Sequence, residues 1–228
     1  MSMSADQINA TPVLLRHDDD GIVTLTLNRP KQCNALSADL LTALQSSLDD
    51  IAQNEAIRVV IIAANGKAFC AGHDLKEMRS SEERAVHQSL FDQCGRMMVS
   101  INRLPQPVIA RINGIATAAG CQLVASCDLA VAAEDARFAV SGINVGLFCS
   151  TPAVPLSRNL LQKQAMQMLL TGDFISAQQA LQFGLVNEVV DTADLEDATR
   201  ALAAKIAAKS SHSIKLGKDM FYRQLPMD

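Results

Sequence analysis

A run of apolar residues from Arg58 to Ala64, closed by Asn65-Gly66, constrains this chain more than any other feature. Its residues do not alternate with polar ones, so the strand it forms has to be covered on both faces, as in a parallel sheet with layers on either side. The same arrangement returns from Val108 to Ile112, closed by Asn113-Gly114, and a third such strand runs from Leu129 to Ala133. Strand, turn and helix alternate around these runs, which predicts an α/β fold with a sheet-rich core and helices outside.

Upstream, Val13 to Arg16 and Ile22 to Leu27 read as strands joined at Asp19-Asp20-Gly21, because Asp-Gly is a hairpin signal. Val23, Leu25 and Leu27 alternate with Thr24 and Thr26, placing one face on the core. Ser37 caps a helix to about Asn54 whose Leu40, Leu41, Leu44, Leu48 and Ile51 recur at helical spacing. A long helix is expected from Ser81 to about Asn102, a short one from Gly120 to Ser126, and a short strand from Ala136 to Val140. From Gln164 the pattern is mainly helical: Gln164 to Leu170, a helix capped at Ser176 and ended by Gly184, a strand from Leu185 to Val190, then helices from Asp194 to Lys209 and from Ser211 to Arg223. The organisation expected is a mobile leader over 1–12, a core over 13–160 and a mostly helical region over 161–228.

Composition excludes several function classes. With 49% hydrophobic residues and 19% charged, the chain has the profile of a folded globular protein. A formal net charge of −4, with Lys and Arg dispersed, argues against nucleic acid as a partner. The six cysteines form no CxxC pair, so neither a zinc site nor a disulfide framework is expected. No apolar run reaches the ~20 residues needed to cross a bilayer. The first twenty residues show no secretory or import pattern. A cytoplasmic location is the resulting expectation.

Two segments carry the candidate chemistry. Lys67-Ala68-Phe69-Cys70-Ala71-Gly72-His73-Asp74 follows a buried strand with small residues at a turn, where N–H groups are presented instead of being tied into a ladder. Thr117-Ala118-Ala119-Gly120 precedes a short helix whose first amides are unpaired by construction. If the two converge they make an oxyanion hole, with each donor worth roughly 3–4 kcal/mol to a developing oxyanion. Small residues in turns are more often packing solutions than oxyanion holes, and both readings stand at this point.

The order of four motifs is more specific than either segment. LxLNRPKxxNALS (Leu25 to Ser37), KAFCAGHDLKEM (Lys67 to Met78), ARINGxAxAAGCQLxxxCD (Ala110 to Asp128) and TGDFISAQQALQFGLVNEVV (Thr171 to Val190) together resemble the crotonase (enoyl-CoA hydratase/isomerase) superfamily, and within it the enoyl-CoA hydratase domain-containing protein 3 group. The resemblance runs from Val13 onward. It implies a spiral of ββα units, a helical C-terminal region that forms homotrimers or hexamers built as dimers of trimers, and acyl-CoA thioesters of fatty acid metabolism as ligands, with no other cofactor. It implies that the backbone N–H groups of His73 and Ala119 polarise the thioester carbonyl. It further implies that Lys67 and Lys76 meet the CoA phosphates, and that Pro30, Ala68, Phe69, Ala71, Gly72 and Gly120 line the CoA path. For the two lysines a plain solvated charge remains an equal alternative.

The departures from the family pattern bear on activity. The two glutamates that hydratases use to activate water and deliver a proton correspond here to Gln122 and Gly142. An amide does not exchange a catalytic proton near neutral pH and glycine has no side chain, so acid–base terms of roughly 10²–10⁴ each are absent. The aspartate of isomerase-like members corresponds to Ser150. His73 offers an imidazole as well as its amide, Asp74 reads as the cap of a helix starting at Leu75, and Cys121 and Cys149 read as small buried hydrophobes. The family's last C-terminal helix has no counterpart after Asp228. Two readings follow. One is an enzyme relying on oxyanion stabilisation with weak or no ordinary hydratase activity; the other is a non-catalytic acyl-CoA-binding or regulatory homologue.

Overall fold

The computed structural model describes residues 11–225 and 227. The leader expected over 1–12 therefore falls almost wholly outside the described residues. Strands β1 (Leu14–Asp19) and β2 (Ile22–Leu27) pair antiparallel through a two-residue turn in which Asp20 (φ 48°) and Gly21 (φ 74°) both take the left-handed conformation that such a turn demands. Helix α1 (Ala38–Gln53) starts where Ser37 accepts the Leu40 N–H at 3.3 Å, and it buries the five expected residues. After it the chain winds through three successive turns. Each turn lays one strand in a large sheet and one in a small sheet: β3 (Val59–Ala64) then β4 (Ala68–Cys70), β5 (Val108–Ile112) then β6 (Ile115–Thr117), β7 (Leu129–Ala133) then β8 (Arg137–Ala139).

The six-stranded sheet has the order β1-β2-β3-β5-β7-β10, and all its pairs after the first are parallel. The four-stranded sheet has the order β4-β6-β8-β9. The parallel pairs require long crossovers, which α2 (Leu75–Arg79), α3 (Arg84–Arg103) and α4 (Ala119–Ser126) supply. Burial of the large sheet on both faces follows. Val60, Ile62, Val108 and Ile112 pack with α1 and α3, while Val59, Ile61, Ile109 and Val131 meet Leu195 and Ala203 of α8 (Leu195–Ala207). This is the expected ββα spiral.

Three features differ from the sequence expectation. The four strands of the small sheet are two or three residues long, too short to carry a period of their own. Ala68–Cys70 is consequently a strand paired with β6, so only the residues after Cys70 escape the ladder. Helix α5 (Ser150–Asn159) forms despite two prolines. Pro152 sits in the first turn, where no intrahelical donor is lost, and Pro155 sacrifices one bond.

Beyond α5 come α6 (Gln162–Thr171), β9 (Ile175–Ser176), α7 (Ala177–Phe183) with a full capping box at Ser176 and Gln179, and β10 (Glu188–Val190). Helix α9 (Ser211–Gln224) is fastened to the spiral by Lys218. Its ammonium donates to Ile101 O at 3.1 Å, Gln106 O at 3.0 Å and Asp128 Oδ2 at 2.6 Å, while the Tyr222 hydroxyl donates to Asp128 Oδ1 at 2.7 Å. No helix among the described residues is long and apolar enough to cross a membrane.

Candidate functional site

The two small-residue segments are brought into direct contact at the open ends of β4 and β6. β4 carries a register shift between Ala68 and Cys70, a local irregularity that turns the chain out of the sheet. Gly72 follows at φ 93°, and a β-carbon there would lie 2.9 Å from Ala118 Cβ and 3.3 Å from the Ala119 nitrogen. Only glycine allows that approach. Gly120 serves the same purpose from the other side, where a β-carbon would stand 2.1 Å from the Cys70 carbonyl oxygen. Ala118, between them, holds φ 51° and ψ −121°, a strained conformation for a residue with a side chain.

The bridge between Leu36 and His73 sets the direction of the His73 amide. Leu36 N donates to Gly72 O at 2.7 Å, and Asp74 N donates to Leu36 O at 3.2 Å. In a parallel bridge the residue flanked by those two bonds turns its own N–H to the opposite side. The His73 N–H thus faces away from Leu36 and has no backbone acceptor among the described residues; the Ala119 N–H, first in α4, has none either. Every residue of α4 is buried, so its amino-terminal dipole acts in a poorly solvated place. Two unpaired donors at one junction can hold a single oxygen that carries partial negative charge.

The side chains around the amides are neutral. The His73 ring packs edge-on against Phe91 with 5.0 Å between centroids, and neither ring nitrogen has a hydrogen-bond partner. Burial lowers its pKa below the usual 6.5, so the ring is uncharged at neutral pH. Gln122 is 5% exposed, one turn along α4, with Oε1 buried and unpartnered. Gly142 lies in the 3₁₀ turn Ser141–Val145, where a β-carbon would stand 2.6 Å from Leu147 O and 2.7 Å from Cys149 Sγ. The thiols of Cys121 and Cys149 are pushed up by burial, Cys121 to about 12, which removes them as nucleophiles near neutral pH. Asp74 caps α2 through Lys76 N at 3.0 Å and Glu77 N at 3.4 Å, as expected.

The remaining sequence-derived positions are spread around this junction. Pro30 opens an exposed 3₁₀ turn, Pro30–Gln32, and lies against Gly66. Lys67 and Lys76 are exposed and make no ion pair among the described residues. Phe69 is fully buried and Ala68 nearly so, which leaves the backbone of this stretch to meet any ligand. Ala71 donates its N–H to Cys33 O at 3.0 Å. Among the described residues, no group of three or more His, Cys, Asp or Glu side chains could hold a metal ion.

Sequence reasoning passed over Arg29 and Asn34, although both stand in the first motif. Arg29 donates to Ala35 O and, at 2.8 Å, to Asp74 Oδ2. Asn34 is 1% exposed and bonds Arg29 N, Asn65 O and Ala68 O. The signal available was Asn34 itself, a polar residue set directly before Ala35 and Leu36, which fold inward with it.

A family model for enoyl-CoA hydratase/isomerase matches residues 17–228. This chain belongs to the enoyl-CoA hydratase/isomerase family. Among relatives, the human enoyl-CoA hydratase domain-containing protein 3, mitochondrial, is 49% identical over 209 residues, covering 92% of this chain and 69% of its own length. The crystal structure of that human protein superposes with a TM-score of 0.92 at 48% identity, over 95% of this chain and 85% of that one. An enoyl-CoA hydratase structure from Mycobacterium smegmatis gives 0.94 at 57% identity, over 96% and 85%. These crotonase-type neighbours bear out the resemblance and the α/β spiral. The cytoplasmic expectation is overturned: the human protein and its rat, mouse, Xenopus laevis and Danio rerio counterparts are all named mitochondrial. Lack of a leader pattern in twenty residues was no measure of compartment.

Proposed function

We propose that this family member binds fatty acyl thioesters of coenzyme A and polarises their carbonyl through the N–H groups of His73 and Ala119, without the glutamate pair needed for ordinary hydration. The observation that carries the reading is the contact of Gly72 with Ala118 and Ala119, with both neighbouring amides unpaired. A neutral carbonyl gains two hydrogen bonds there, and an enolate or tetrahedral oxyanion gains more, since the donors need no reorientation. Gln122 orients a water or a polar acyl substituent, and Gly142 contributes nothing to proton transfer. Lys67 and Lys76 meet the CoA phosphates, with support from their exposure and free charge. Pro30, Ala71 and the backbone of Ala68 and Phe69 border the path to the thioester.

The site supports enolate chemistry in which substrate or water carries the proton. A binding or regulatory role is the second reading, favoured by the neutral surroundings of the amides: a lowered His73 ring, Gln122 and inert thiols. The assembly proposed is a homotrimer or a dimer of trimers. Its support is the exposure of Val145, Leu147, Phe148, Leu161, Met166 and Leu170 on adjoining elements. Calorimetry with acetyl-CoA and longer acyl-CoAs tests the ligand, and absence of binding refutes it. Steady-state hydration of crotonyl-CoA tests the chemistry, where a wild-type rate typical of hydratases refutes the loss of acid–base catalysis.

A further inference from the structure

We propose that the Arg29–Asp74 ion pair positions the His73 amide, and so sets how strongly a bound thioester carbonyl is polarised. The inference rests on the acyl-thioester reading of the site given above.

The segment from Ala71 to Asp74 has left the small sheet, so nothing regular fixes it. Its backbone is held from one side only, by a loop that is itself irregular: Cys33 and Asn34 both lie in the left-handed region, at φ 49° and 53°. Ladder bonds to such a loop fix register but not orientation, because the loop can move with its partner. The guanidinium of Arg29 removes that freedom. One of its prongs reaches Ala35 O, beside Leu36, and the other reaches Asp74 Oδ2 at 2.8 Å, beside His73. A rigid planar fork therefore spans the bridge pair Leu36 and His73 across the two residues that adjoin it.

Asp74 completes the restraint with its second oxygen, Oδ1, which holds the first turn of α2 through Lys76 N and Glu77 N. Glu77 in turn accepts the Ala38 N–H at 3.0 Å, tying α2 to α1. The peptide that bears the His73 N–H is thus braced from the loop and from α2 together. The pair is shielded, with side-chain exposures of 17% and 13%, so solvent and salt weaken it less than a surface bridge. Capping α2 does not need the charge, because asparagine caps a helix as well as aspartate does. What the carboxylate adds is the grip on Arg29. The same grip holds its carboxyl below the usual carboxylate range, so the pair stays ionised at neutral pH.

The test uses the full chain with Asp74→Asn, which keeps the cap and loses the charge, and Arg29→Lys, which keeps the charge and loses the fork. Acetyl-CoA labelled with ¹³C at the carbonyl is bound to each, and isotope-edited infrared difference spectra read its stretching frequency, with calorimetry and thermal melting alongside. Binding to wild type is expected to move the band to lower wavenumber. In both variants the displacement is expected to fall to about half or less, with cooperative melting retained and affinity changed by less than about ten-fold. A full wild-type displacement in both variants overturns the positioning role. If Asp74→Asn melts without cooperativity, Arg29→Lys decides alone. Wild-type protein that binds acetyl-CoA with no displacement, or fails to bind it, refutes the acyl-thioester reading and this inference with it.

Discussion

Replacing Gly142 by glutamate tests whether this position has room for a carboxylate. Its backbone leaves none. The Gly142 carbonyl accepts the Leu147 N–H at 2.9 Å, closing the loop on itself, and a β-carbon would stand 2.6 Å from Leu147 O and 2.7 Å from Cys149 Sγ. Reaching an ordinary 3.4 Å contact requires retreats of about 0.8 and 0.7 Å. The sulfur can rotate, but the oxygen is backbone and moves only if the loop from Gly142 to Cys149 shifts. Overpacking of this kind costs about 1–3 kcal/mol. With a urea slope of roughly 2–3 kcal/mol/M, the unfolding midpoint should fall by about 0.3–1.5 M. Crotonyl-CoA hydration should stay at the wild-type level in Gly142→Glu, because the displaced loop carries the new carboxylate away from the amide pair. Urea titration by circular dichroism and an ultraviolet assay of crotonyl-CoA hydration give the two readouts. An unchanged midpoint together with a hundred-fold gain in hydration would falsify the reasoning.

Gly120→Ala sets helix propensity against packing: alanine is favoured by roughly 0.5–1 kcal/mol inside a helix, but its β-carbon meets the Cys70 carbonyl. A net loss of about 1–3 kcal/mol is expected by thermal melting, and a rise in stability would contradict the close approach of α4 to β4. His73 has a folded pKa depressed below its ordinary 6.5, so the unfolded chain binds its proton first as pH falls; the contribution of the neutral ring is present above about pH 6.5 and lost below it. His73→Phe should flatten that acid limb in denaturation curves taken from pH 7 to 5, and an unchanged slope would show that the ring is not the group responsible. Cys33 is the exposed thiol, whereas Cys70, Cys94 and Cys121 are buried and pushed up to about 12. At pH 8 their thiolate fraction is about one in 10⁴, so iodoacetamide should label Cys33 first by mass spectrometry; equally fast labelling of Cys121 would place it outside the core.

The long elements were readable because each carries its own record. The spacing of Leu40, Leu41, Leu44, Leu48 and Ile51 reports one buried helical face, and β3, β5 and β7 report burial on both sides by lacking alternation. Of the small sheet only β8 was foreseen, within Ala136 to Val140; its other strands left no such record, since two or three residues cannot show a period, and α5 was masked by Pro152 and Pro155. Of the site, the small residues of both segments were visible, and so were Gln122 and Gly142 as residues without a carboxylate. Their consequences differ, however. Gln122 presents a buried, unpartnered amide oxygen, whereas the space beside Gly142 is taken by Leu147 and Cys149.

Sequence alone determined the strand and helix grammar and the family to which that grammar belongs, because each is written in residue type and local spacing. Only the tertiary structure decided that the two amide segments touch, that the His73 N–H is left facing away from Leu36, and that Arg29 and Asp74 brace it. Those facts depend on residues dozens of positions apart meeting at β-carbon distance. Chain neighbours do not encode such meetings: they follow from how the spiral closes and from which positions lack a side chain.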